Sequence, residues 1–165
     1  MIEDNQFPRV AETDLIFLLF RARQSIYRVS EHEASRCGVT LEQATVMRLI
    51  EANAEISIEN ICRIMIREHH TITSLIARMV KNGLVTVTKG ARGKISLALT
   101  PKGDEILGKM NSTKNRGGGV SILSDLERRR LAHYLQKITK HALQEAGRLE
   151  DYDIPGGPGD KIPED

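Results

Sequence analysis

The hydrophobic period of this chain changes abruptly at Gly83, and that change restricts the folds open to it. Before it, Ile58, Ile61, Cys62 and Met65 recur at i, i+3, i+4 and i+7, and Ile72, Leu75, Ile76 and Met79 repeat the spacing. These are two short amphipathic helices. Ser57 is a suitable N-cap for the first, with Glu59 near its positive end. The second is expected from about His70 to Asn82, with Gly83 as its C′ residue. Beyond Gly83 the period falls to two. Leu84-Val-Thr-Val-Thr-Lys89 and Lys94-Ile-Ser-Leu-Ala-Leu-Thr100 alternate on either side of Gly90-Ala-Arg-Gly93, which predicts a two-stranded hairpin with a basic tip.

Longer helices flank this unit. Leu15, Leu18, Leu19, Ala22, Ile26 and Val29 place a helix over about Thr13 to Cys37, stopped at Gly38. Phe17 and Phe20 make its first half apolar nearly all round, so it must be buried in its own core or against another chain. Thr40-Leu-Glu-Gln43 is a capping box opening a helix over about Leu41 to Ala52, buried through Leu41, Ala44, Val46, Leu49 and Ile50. Thr100-Pro101 reads as N-cap and N1 of a fifth helix ending near Lys114 to Arg116. Ser124-Asp-Leu-Glu127 opens a sixth, with Leu131, Leu135, Ile138, Ala142 and Leu149 on one stripe. From Asp151 the sequence DYDIPGGPGDKIPED has too little apolar surface to fold and reads as a disordered tail.

Composition narrows the function classes. A chain of 165 residues with 40% apolar and 28% charged residues is ordinary globular material of about one domain. The longest uncharged apolar run, Leu15 to Phe20, is far short of the ~20 residues that span a bilayer. MIEDNQFPRV has no apolar h-region, so no secretory signal is expected. Cys37 and Cys62 do not make a disulfide framework, and a reducing cytoplasm is the expected compartment. Aromatics are 4% and none lies between Tyr27 and Tyr134, so the middle of the chain cannot read single strands by base stacking.

Three short helices followed by a basic-tipped hairpin form a winged helix-turn-helix. The expected class is mostly α, with a small β-hairpin wing and long N- and C-terminal helices on either side. The divisions are a flexible arm at 1–10, dimerisation helices at 11–39 and 101–149, a DNA-binding lobe at 40–100, and an acidic Pro/Gly tail at 150–165. When the fourth helix packs on the third, Thr71, Thr73, Ser74, Ala77, Arg78 and Lys81 stay free. A helix entering the DNA major groove presents its N-terminal residues to base edges, where short hydroxyl side chains allow close approach. Arg78 and Lys81 lie further along, where phosphates run. His69 and His70 stand at the mouth of this helix, suited to phosphate contact or N-capping. The net charge of +2 hides an asymmetry. From Ser57 to Thr100, Arg63, Arg67, Arg78, Lys81, Lys89, Arg92 and Lys94 face only Glu59 and Glu68, a local +5. From Leu149 onward, Glu150, Asp151, Asp153, Asp160, Glu164 and Asp165 face only Lys161, a local −5.

The stretch Thr71-Ile-Thr-Ser-Leu-Ile-Ala-Arg-Met-Val-Lys-Asn-Gly-Leu-Val85, the wing, and Leu97-Ala-Leu-Thr-Pro-Lys-Gly103 resemble the MarR family of bacterial regulators. The resemblance covers roughly residues 11 to 149. It implies a homodimer formed through the first and last helices. Its two lobes would read a pseudo-palindrome in double-stranded DNA, most often as a repressor. It also implies a small-molecule effector, in this family often anionic and aromatic, held between the dimerisation helices and the DNA lobe. Arg36, His32 and Arg48 are candidates to border that pocket, with no choice among them. The DNA-binding set it implies is His69, His70, Thr71, Thr73, Ser74, Arg78, Lys81, Lys89, Arg92 and Lys94. Two departures stand out. The family's wing usually has an Asp before its Arg, and Gly90-Ala-Arg-Gly-Lys94 has none. Ser74 occupies a recognition-helix position often held by Arg, so direct guanine reading from it is not expected.

Other chemistry finds little support. Cys62 lies on an apolar stripe and reads as a core thiol. Peroxide-sensing relatives use a cysteine early in the first helix, whereas Cys37 ends it. The five histidines form no His-x-x-x-His, and no Cys-x-x-Cys exists, so neither metal nor other cofactor is expected. Thr88 and Ile95 break both ends of the Gly-x-x-x-x-Gly-Lys-Ser/Thr that a P-loop needs around Gly93-Lys94, Gly-x-Ser-x-Gly is absent, and no catalytic residue or enzyme activity is expected. The rival reading is a winged-helix module that docks a protein without binding DNA.

Overall fold

The computed structural model describes residues 9–53, 56–89, 95–112 and 119–152. Six helices and one hairpin follow the expected order: α1 (Glu12–Arg36), α2 (Leu41–Ala52), α3 (Ile58–Met65), α4 (His69–Lys81), β1 (Val85–Lys89), β2 (Ile95–Leu99), α5 (Pro101–Ser112) and α6 (Asp125–Glu145). Single 3-10 turns lie at Val120–Ile122 and Leu149–Asp151. The strands pair antiparallel, from Val85 opposite Leu99 to Lys89 opposite Ile95. The hairpin tip at residues 90–94, with Arg92 and Lys94, lies outside the described residues, as does the segment 153–165.

The helix boundaries follow from local chemistry. Both capping boxes form. The Thr40 hydroxyl accepts from the Gln43 amide while the Gln43 side chain takes the Thr40 amide, and Ser124 and Glu127 do the same. Ser57 caps α3 by accepting from the Asn60 amide at 3.1 Å. At the end of α4, Gly83 turns left-handed at φ +68°. Its amide reaches the Val80 carbonyl and the Leu84 amide reaches that of Met79, both at 2.9 Å. This Schellman closure stops the helix and throws the chain directly into β1.

One core holds the lobe together. Met47 and Val46 of α2, Ile61 of α3, Ile72 and Met79 of α4, Val85 of β1, Leu97 of β2 and Leu107 of α5 are essentially inaccessible. Met47 was not among the positions read as buried from the pattern, whereas Leu41 and Leu49 are only half-buried.

The outer helices behave differently. Phe17 is 60% exposed and Phe20 66% exposed, and Leu15, Ile16 and Leu18 are open beside them. Of the two burials open to this half-helix, its own core is excluded within one chain. The stripe of α6 is also open, though less so, at Leu131, Leu135 and Ile138, and the one buried residue of α6 is Leu143. The helix is also shorter than its stripe suggested. Gly147, at φ +66°, closes it with a bond from the Arg148 amide to the Leu143 carbonyl at 2.8 Å. Leu149 therefore lies beyond α6, and Glu150 and Asp151 lie in the 3-10 turn that follows.

The turn between α3 and α4 holds the one non-glycine left-handed residue among those described. Ile66 sits at φ +51°, ψ +54°, with its side chain half exposed. A β-branched residue pays a steric penalty there of about 1–2 kcal/mol. Ile66→Gly should therefore raise stability by about 0.5–1 kcal/mol, net of the extra chain entropy of glycine. A thermal melt shifted upward by about 2 °C would confirm it. A lowered midpoint would mean that contacts of the Ile66 side chain outweigh the strain.

Candidate nucleic-acid interface

α4 packs inward through Ile72, Leu75, Ile76 and Met79, all buried. That fixes the opposite face. Thr71, Thr73, Ser74, Ala77, Arg78 and Lys81 are all exposed, as the spacing predicts. Hydroxyls lie in the first turns and cations in the last. Among the described residues neither Arg78 nor Lys81 is held in an ion pair, which leaves both guanidinium and ammonium available to an anion.

Of the two roles expected of the histidines, phosphate contact or N-capping, N-capping is not taken. The N-cap position belongs to Glu68, which makes no side-chain cap bond, and His69 and His70 are the first two helical residues. His69 instead turns along the helix: its Nδ1 lies 3.3 Å from the Thr73 hydroxyl. His69 and Thr73 thus form one exposed polar unit, and His70 stays exposed beside them.

The wing is set against α4 by residues that sequence spacing did not single out for this purpose. Thr100 is the pivot. Its hydroxyl donates to the Gly83 carbonyl at 2.6 Å and accepts from the Gly103 amide at 3.0 Å. The Thr100 amide donates to the Leu84 carbonyl at 3.1 Å. One side chain therefore caps α5 and ties it to the exit of α4. Lys102 adds a cation there, donating to the Asn82 carbonyl at 2.9 Å, where the negative end of α4 favours it. Lys102 was missed because its role depends on a contact twenty residues back in the chain. Lys89 ends β1, opposite Ile95.

Two further hollows adjoin α4. A groove of about 450 Å³ runs between its exposed face and the first turn of α2, lined by Thr40, Glu42, Gln43, Thr71, Leu75, Arg78, Lys81 and Asn82. A cleft of about 330 Å³ at the α3–α4 turn gathers Arg63, Arg67 and His69 with Glu59, Glu68, Cys62, Arg148 and Glu150. Burial pushes the Cys62 thiol up, so it stays an unreactive core group. Cys62 and Cys37 are both unbridged.

A third cavity, of about 670 Å³, opens between α1, the start of α2 and α6. Its wall is nearly all apolar: Leu19, Phe20, Ala22, Ile26, Leu41, Val120, Leu131 and Leu135, with Arg23, Tyr27 and Ser30 as its polar members. Arg36, His32 and Arg48, the candidates named from the sequence, do not line it. Arg36 and His32 lie on the last two turns of α1, past this wall, and all three are exposed. Among the described residues no group of three or more His, Cys, Asp or Glu side chains is placed to hold a metal. No described helix is long and apolar enough to cross a membrane.

This arrangement, a helix-turn-helix with a hairpin wing between long terminal helices, is the winged-helix fold of MarR-family transcriptional regulators. A MarR protein from Peptoclostridium difficile superposes with a TM-score of 0.69 at 17% identity, over 85% of this chain and 94% of that one. The S. aureus MepR–DNA complex gives 0.68 at 17% identity over 76% and 94%. A mutant E. coli MarR complexed with operator DNA gives 0.66 at 20% over 76% and 93%. At such identities the property shared is the fold. No protein-family model and no curated protein matches the sequence.

Proposed function

We propose that this chain is a homodimeric, sequence-specific DNA-binding regulator of the MarR type, a repressor without catalytic activity that acts in the cytoplasm. The observation that carries this reading is the exposed face of α4, with hydroxyls first and cations last, on a lobe whose wing is also basic. In this reading Thr71, Thr73 and Ser74 meet base edges in the major groove, while Arg78, Lys81, His69 and His70 meet phosphates. Lys89, Arg92 and Lys94 form the wing, and Arg92 enters the minor groove, where narrow A·T tracts attract arginine. The open faces of α1 and α6 join two copies, and half-sites then lie about one helical turn apart, near 34 Å. The fold supports this: MepR and E. coli MarR are both described in complexes with DNA.

A small-molecule effector belongs to the same proposal. The organohalide-sensing RdhR regulator, at TM-score 0.65 and 19% identity over 87% of this chain and 90% of that one, is described in a 2,4-dichlorophenol-bound form. Here the apolar cavity beside Phe20 and Tyr27 has the volume for a ligand of that size class. A ligand preferring a dimer with wrongly spaced lobes releases DNA by shifting populations.

The experiment is a binding series. Arg92→Ala should weaken binding to every duplex and lower the slope of log K against log salt by about 1.8, one contact per lobe at ~0.9 each. Thr73→Ala and Ser74→Ala should instead change the ranking of duplexes at nearly constant slope. If Arg92→Ala matches the parent at every salt concentration, the wing assignment is wrong.

A further inference from the structure

The first turn of α2 stands between two of the hollows just described. Leu41 lines the apolar cavity on one side, and Thr40, Glu42 and Gln43 line the groove against α4 on the other. Two bonds from α1 clasp this turn. The Glu31 carboxylate accepts from the Leu41 amide at 3.2 Å, and the Tyr27 hydroxyl donates to Glu42 Oε1 at 3.2 Å. Glu42 is thus an acid in the same groove as Arg78 and Lys81, the two cations proposed to meet phosphates. Both members of the Tyr27–Glu42 pair are half-buried.

Resting on the DNA-binding reading above, we propose that Tyr27 is a positioning residue for DNA affinity: its phenol holds the Glu42 carboxylate toward α1 and so keeps it off Arg78 and Lys81. Freed from Tyr27, Glu42 has opposite charges across the groove to turn to, and each pair it makes withdraws a cation from the DNA. The Glu42 charge, aided by burial, pushes the Tyr27 hydroxyl above its usual range, so it remains a proton donor at neutral pH. Tyr27 also lines the apolar cavity, so a hydrogen-bond acceptor bound there competes for the same phenol. The hydroxyl is then the point where the cavity and the recognition helix are linked, through a single carboxylate.

The test is a double-mutant cycle on the full chain, read by fluorescence anisotropy on one labelled duplex, with thermal melts alongside. Tyr27→Phe removes only the hydroxyl and leaves the Glu31 bond to α2 in place. It should lower DNA affinity about fivefold, the size of one exposed ion pair gained in each of two lobes. Tyr27→Phe with Glu42→Gln should recover the affinity of Glu42→Gln alone, because an amide cannot neutralise Arg78 or Lys81. Unchanged affinity in Tyr27→Phe, with the parent binding DNA normally, overturns the inference and leaves the DNA-binding reading standing. A loss that persists in the double variant also overturns it, since Tyr27 would then act through packing. A parent that binds no DNA at any salt overturns both.

Discussion

Gly103→Ala is expected to lower stability by about 3 kcal/mol, toward the upper end for overpacking a tight site. An added Cβ would stand 2.3 Å from the Leu84 carbonyl oxygen and 3.3 Å from its carbon. Both are backbone atoms, so no side chain can turn aside. Nor can the Leu84 carbonyl retreat freely: it accepts from the Thr100 amide, and Leu84 itself closes α4 onto Met79. Relieving the clash means lifting α5 off the start of β1, which breaks the Thr100 pivot between Gly83 and Gly103. For a chain of this size the thermal midpoint should fall by roughly 6–12 °C. Thr100→Ala, which removes the pivot without a clash, should cost only about 1 kcal/mol. Equal melts for Gly103→Ala and the parent would show that α5 is not seated against β1 in this way.

The second large effect is on assembly. Phe17→Lys with Phe20→Lys places two ammonium groups on the open face of α1, and across the proposed two-fold interface the two copies would bring four together. A monomer leaves these positions exposed at 60% and 66%, so the substitutions cost little within one chain. The expected result is a change in sedimentation from a dimer to a species of 18.4 kDa, with an unchanged circular dichroism spectrum. DNA affinity should fall by about 10²- to 10⁴-fold as two linked half-site contacts become independent. A variant that still sediments as a dimer would place the interface elsewhere.

Local signals made much of this fold legible. Both capping boxes, the Ser57 cap, the Gly83 closure and the alternating strands depend on residues within a few positions of one another, and each appears where its pattern stands. The exposed face of α4 was readable because the four buried positions, Ile72, Leu75, Ile76 and Met79, determine the other side. Ile66 gave no signal, since nothing local marks an isoleucine for a left-handed turn, yet it closes α3, with the Ile66 and Arg67 amides on the Arg63 and Cys62 carbonyls. His69 and His70 are the first two residues of α4, so the N-capping alternative of their reading fails by one helical position, while phosphate contact stays part of the proposal. The cavity wall was unreadable because it joins α1, α2 and α6, whose relative placement no periodicity encodes. The Tyr27–Glu42 bond is of the same kind: two unremarkable residues fifteen apart, brought together by the packing of α1 on α2.

The central claim is that the basic lobe recognises a DNA sequence. It is tested most directly by fluorescence anisotropy with the intergenic duplex beside the protein's own gene, set against a scrambled duplex over several salt concentrations. The account predicts tighter binding to the native duplex at every salt, with log K falling linearly as log salt rises. No binding even at low salt would contradict it and turn attention to a lobe that docks protein.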